Sequence, residues 1–142
     1  MNDKTATDQI HATAVAIGAE GVLLIGPSGC GKSDLALRLL DEGAMLIADD
    51  RVDLRLDGDG VIASSPANIA GMLEVRGLGI VRDIAAVEAR VALAVELVPR
   101  EDVQRMPWEE TGEFLGCRVP LARLHAFDAS TPAKIRLALD MA

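Results

Sequence analysis

One run of eight residues carries the clearest chemistry in this 142-residue chain. Gly26-Pro27-Ser28-Gly29-Cys30-Gly31-Lys32-Ser33 fits the pattern G-x-x-x-x-G-K-[ST]. Holding a phosphate chain requires donors, positive charge and close backbone approach. The glycines let the backbone turn so that its N–H groups point inward. A helix beginning at Lys32 adds its positive N-terminal end. Lys32 can reach the terminal phosphates of a triphosphate, and the Ser33 hydroxyl can bind Mg²⁺.

Asp49 and Asp50 close the apolar run "AMLIA". A carboxylate at the end of a strand beside a phosphate loop acts on Mg²⁺ or on its water. A pair allows a second role: one acid in the metal network, the other taking a proton from an incoming hydroxyl. Further on, "LEVRGLGIVR" mixes Glu74, Arg76 and Arg82 with Gly77 and Gly79. Arg76 is the candidate there for a phosphate contact, because an arginine stabilises charge on a transferring phosphoryl group. The same residues also fit an ordinary charged surface loop. His11 and His125 are the two histidines; Cys30 and Cys117 are the two cysteines. The cysteines show neither metal-ligand spacing nor a disulfide framework. Oxidation of Cys30, inside the loop, would hinder binding there.

The elements that position these groups follow from the apolar pattern. Residues 1–9 read as a flexible tail. "HATAVAIG" reads as a strand from His11, and "GVLLIG" as a second strand buried on both faces. Their closeness predicts a hairpin feeding the phosphate loop and places His11 near the phosphates. Lys32 to Gly43 reads as a helix, with Leu35, Ala36, Leu39 and Leu40 on one face and Gly43 ending it. "AMLIA" is the next strand, and "RVDLRLDGDGVIAS" an exposed hairpin turned by "DGDG". Residues 68–83 read as a short helix or turn and then a loop. Val91 to Val98 is a strong strand. Met106 to Phe114 reads as loop, with Trp108 a packing residue or partner contact. "CRVPLARLHAF" holds a short strand. The closing helix has Thr131 as N-cap and Pro132 at its first position.

The totals bound the rest. The length fits one domain over residues 1–142. Half of the residues are hydrophobic but only 2% are aromatic, so the core is aliphatic. A formal charge of −8 argues against nucleic acid as a partner. No apolar run approaches the ~18 residues of a membrane span, and the N-terminus lacks a signal-peptide pattern. The expectation is a cytoplasmic protein without membrane attachment.

His11 on a strand, "GPSGCGKSD", "LIADD" and "LEVRGLGI", in this order and spacing, together resemble the catalytic domain of the HPr kinase/phosphorylase family. The resemblance spans about His11 to Val98, and "EVRGLGI" is similar to that family's own signature. It implies an α/β phosphate-loop kinase fold akin to phosphoenolpyruvate carboxykinase, a mixed sheet with flanking helices. It implies ATP and Mg²⁺ as cofactors and phosphorylation of a serine on HPr, or an HPr-like carrier of the phosphotransferase system, with phosphorolysis as the reverse. Asp49 or Asp50 would be the base, with Asp50 favoured. Lys32 and Ser33 keep the phosphate and metal roles, and Glu74 would be a second metal contact. His11 would be an active-site residue, and Arg105 in "EDVQRMP" the catalytic arginine. Hexamer formation is plausible by the same likeness.

The chain also departs from the family pattern. Asp34 stands where the family usually has glutamate, and the glycine- and arginine-rich segment linked to dephosphorylation has no clear counterpart. The resemblance is to short, single-domain members without the regulatory N-terminal domain, and it favours kinase over phosphorylase activity. The competing readings are a nucleotide-binding regulatory module without transfer and a small-molecule kinase.

Overall fold

The computed structural model describes residues 6–105 and 109–142. Its elements run β1 (Thr7–His11), β2 (Thr13–Ile17), β3 (Glu20–Ile25), α1 (Lys32–Asp41), β4 (Met45–Ala48), β5 (Arg51–Asp57), β6 (Gly60–Ser64), β7 (Leu73–Val75), β8 (Gly79–Val81), β9 (Ala89–Leu97), β10 (Glu110–Phe114), β11 (Cys117–Leu124) and α2 (Thr131–Met141). Nine strands form one mixed sheet in the order β1-β5-β6-β9-β3-β2-β4, with β11 also on β9 and β10 on β11. The β3–β9 and β9–β11 pairs are parallel. β7 and β8 form a separate hairpin.

The sheet is curled, and its side chains explain how. Alternation along β2, β3 and β9 divides the core between two faces. Val15, Val22, Leu24, Leu93 and Val95 point to the helical face, where Leu35 and Leu39 of α1 and Ile135 of α2 meet them. Ala14, Ala16, Ala48, Ala63 and Ala94 point to the other face, with Leu23, Ile47, Val52 and Leu54. Small side chains on the inside of the curl let the strands close over one another. Each fully buried leucine contributes about 1.5–3 kcal/mol. β6 and β11 share one edge of β9: β6 pairs at Ala89 and Arg90, β11 from Ala94 to Leu97.

The helix expected from Lys32 forms, and Gly43, at φ +105°, follows the C-cap Glu42 as foreseen. Other expectations are corrected. Within the tail predicted over 1–9, Thr7–Gln9 already belong to β1, which pairs with β5; residues 1–5 lie outside the described residues. The strand expected from His11 to Gly18 is broken at Ala12, where the chain leaves β5 and joins β3 and β4. The β5–β6 hairpin is not peripheral. It is built into the sheet between β1 and β9, with Val52, Leu54, Val61 and Ala63 buried. Residues 68–83 hold the β7–β8 hairpin instead of a loop. Glu110–Phe114, read as loop, is the strand β10; Trp108 lies outside the described residues. The short strand expected near Cys117 runs the full Cys117–Leu124. At α2 the N-cap is Ser130, one residue earlier than expected. The Thr131 hydroxyl instead donates to the His125 carbonyl.

Candidate active site

The site lies where β3 ends. β3 delivers the chain into the loop 26–31, and α1 carries it away. Gly29 and Gly31 sit at φ +84° and +102°, a conformation that disfavours a side chain. Gly31 is also tightly packed: a Cβ there would meet Ala126 Cβ and Phe127 Cζ, each at 2.8 Å. Lys32 Nζ folds back into the loop and donates to the carbonyls of Gly26 (2.7 Å) and Pro27 (3.1 Å). It also lies 3.9 Å from Cys30 Sγ.

Two consecutive aspartates face this loop from the end of β4. β4 does not pair with β3, as a simple parallel neighbour would; the antiparallel β2 lies between them. That inserted strand brings its own first residues into the site. Thr13 pairs with Leu24 of β3, and Ala14 with Ala48 of β4. On the other side of the break at Ala12, His11 pairs with Arg51 of β5. Residues 11–13 therefore lie directly against 49–51.

The neighbours Asp49 and Asp50 are held in different ways. Asp49 is only 8% exposed and accepts three hydrogen bonds. Its Oδ1 accepts from the hydroxyls of Thr13 and Ser33, both at 2.8 Å. Its Oδ2 accepts from the backbone N–H of Glu74 at 3.0 Å. This last bond fastens the β7–β8 hairpin to the site, together with the buried Leu73. The Asp50 side chain is 67% exposed, and its Oδ1 lies 3.1 Å from His11 Nε2. The Asp50 backbone is at φ +73°, and the N–H of Arg51 reaches back across it to the Asp49 carbonyl at 2.9 Å. This is a γ-turn of the rare, strained form. Strain of this kind persists where the surroundings over-determine it, and it gathers at functional sites.

These groups share one cleft of about 450 Å³. Ser28, Gly29, Gly31, Lys32 and Ser33 supply its loop side; His11, Asp49, Asp50, Glu74 and Arg76 face them. Gly26, Pro27 and Cys30 form the body of the loop behind Lys32. Arg105 is exposed and does not line the cleft. Asp34 does line it, and forms an ion pair with Arg38 one turn along α1 at 3.1 Å. Thr13 and Phe127 are among the lining residues that went unread in the sequence. Thr13 is a buried hydroxyl in a run of small apolar residues, and that mismatch was its one signal. Phe127 follows β11 by three residues and had none.

The donor set suits Mg²⁺. The Ser33 hydroxyl and Asp49 carboxylate are hard oxygen donors already 2.8 Å apart. Among the described residues no group of three or more His, Cys, Asp or Glu is arranged to hold a metal. Two protein oxygens are enough for Mg²⁺, which keeps waters and substrate phosphates among its ligands.

A glycine cradle at a helix start, with an acid opposite and an antiparallel strand between, defines a phosphate-loop domain of the mixed-sheet, kinase-like kind. Residues 3–134 match the family model of the HPr serine kinase C-terminal domain. The chain belongs to that family. A solved structure titled as the HPr(Ser) kinase/phosphatase from Coxiella burnetii superposes with TM-score 0.82 at 28% identity, covering 94% of this chain and 89% of that one. An HPr kinase/phosphorylase from Chlorobium phaeobacteroides is 35% identical over 129 residues, 82% of this chain and 38% of that protein. One from Clostridium botulinum is 46% identical over 82 residues, 57% of this chain and 27% of the relative. The chain thus spans well under half the length of these curated relatives.

Proposed function

We propose that the chain is an ATP- and Mg²⁺-dependent protein-serine kinase whose acceptor is HPr or an HPr-like phosphocarrier of a phosphotransferase system. The observation that carries this reading is the split between the two aspartates. Asp49 is buried and bonded to Ser33, whereas Asp50 is exposed to the cleft against His11.

The loop N–H groups and Lys32 hold the triphosphate, with Arg76 on the opposite wall. Ser33 and Asp49, with Glu74 beside them, would hold Mg²⁺, which would supply charge neutralisation for the phosphate chain. Asp50 takes the proton from the acceptor serine hydroxyl as its oxygen bonds to the γ-phosphorus. The bond from that phosphorus to the bridging oxygen breaks, and ADP leaves with the electron pair. His11 orients Asp50. A protein acceptor is supported by the β7–β8 hairpin beside the cleft mouth. Its Leu78 is 80% exposed and its Ile80 57%, contact surface that a small metabolite would not need. The reading includes a regulatory role, in the cytoplasm, with self-association up to a hexamer. Among the described residues no helix is long and apolar enough to cross a membrane. Leu137 and Met141 lie exposed on α2.

The test is transfer of labelled γ-phosphate from Mg²⁺-ATP to purified HPr-like carriers from the same organism. The expected product is phosphoserine, lost with Lys32→Ala and strongly reduced with Asp50→Ala. No labelled carrier at all overturns the proposal.

A further inference from the structure

The chain has two phenylalanines, no tyrosine and one tryptophan. Phe114 packs against the core. Phe127 instead stands 55% exposed on the wall of the cleft. Large apolar groups left in water are informative when their surroundings are built to hold them there. The segment that carries Phe127 is pinned from four directions. Arg38 of α1 donates to the carbonyls of Ala126 and Asp128. The Thr131 hydroxyl donates to the His125 carbonyl. His125 Nδ1 lies 3.0 Å from the Val98 carbonyl. The Asp128 carboxylate accepts from Arg100 at 2.6 Å. The His125 ring meets Phe127 edge to face, with centroids 5.9 Å apart. Gly31 of the phosphate loop lies so close beneath that it has no room for a methyl group.

Phe127 is thus a fixed aromatic face at the flank of the phosphate cradle. Leu37, partly exposed on α1, lines the same cleft one turn along from Asp34. A triphosphate held in the loop carries a ribose and a base, and the flat apolar base needs such a face. We infer that Phe127, with Leu37, is the stacking platform for the base of the bound nucleotide. Stacking on an aromatic ring accepts any base. The ligand class is therefore a nucleoside triphosphate, with tolerance in the identity of the base. Arg38 acts through the loop as a positioning residue. The inference rests on the nucleotide-binding reading above and adds where the base goes.

Calorimetry with Mg²⁺-ATP and with Mg²⁺-tripolyphosphate, which has no base, tests it. The wild-type protein is expected to bind ATP about tenfold or more tightly than tripolyphosphate. Phe127→Ala should weaken ATP about 5- to 100-fold and leave tripolyphosphate unchanged, which removes most of that preference. Phe127→Trp should keep ATP affinity, and Arg38→Ala should lose part of it. Wild-type protein that binds neither probe overturns the nucleotide reading and the platform with it. Wild-type protein that binds ATP, with Phe127→Ala losing both probes alike or neither, overturns the platform alone.

Discussion

The two sides of the cleft are assembled by different means. The phosphate side is one stretch, Gly26 to Ser33, folded on itself between β3 and α1. The opposite side is drawn from three distant places: residues 11–13, the pair 49–50, and the hairpin from Leu73. A stretch of that kind depends on local backbone freedom. The other side depends on strand register, and the fold secures it by burying one aspartate and leaving the next in a strained turn. The difference teaches that binding and transfer should fail separately.

The largest separation is expected at Asp50. Asp50→Ala should lower the transfer rate by about 10²- to 10⁴-fold, the usual worth of a positioned general base. Its affinity for Mg²⁺-ATP should stay near wild type. Single-turnover transfer alongside nucleotide binding checks this. An Asp50→Ala protein that transfers at the wild-type rate would break the division of labour between the aspartates.

Stability should separate the same two residues. Asp49→Asn replaces a buried acceptor of three hydrogen bonds with a group that carries its own N–H. It should cost about 1–3 kcal/mol in denaturant unfolding. Asp50→Asn should be close to neutral, because asparagine tolerates positive φ. At the same position Asp50→Gly should exceed Asp50→Ala by about 1 kcal/mol, since only alanine brings a Cβ into the strained turn. Equal unfolding midpoints for the Gly and Ala variants would remove the argument that strain is stored there.

The sequence showed candidate residues on both sides of the cleft, but how they are held was legible on one side only. The loop, its helix and the aspartates are local patterns, and each was legible. Their partners depend on pairing across the sheet. Thr13 reaches Asp49 only because β2 is inserted between β3 and β4. β7 and β8 have three residues each, too short to show a period, and Leu73 and the Glu74 N–H hold them in place. β10, "ETGEF", is a polar edge strand in which no residue is fully buried, so it carries no apolar alternation. Phe127 belongs to the cleft only through tertiary packing over Gly31, which no local pattern encodes.

A smaller effect is expected at the rim. The double change Leu78→Ser/Ile80→Ser should raise KM for the carrier by up to about tenfold and leave KM for ATP unchanged. Both side chains are exposed, so stability should stay within about 0.5 kcal/mol. Equal KM for the carrier in variant and parent would detach the hairpin from acceptor binding.

The smallest effect is electrostatic and concerns the loop that holds Phe127. The hydrogen bond and charge of Arg100 hold the Asp128 carboxyl below its ordinary value of 3.8. A carboxyl lowered on folding contributes stability that is present above its unfolded pKa and lost as pH falls through the lower folded one. The difference in unfolding midpoint between wild type and Arg100→Ala should therefore be constant from pH 7 to about pH 5. It should shrink below about pH 4, and it should be small throughout, because Arg100 is largely exposed and the pair is screened by salt. If the difference instead vanishes near pH 6, a group other than Asp128 governs the loop. The base platform would then be tuned within the physiological range.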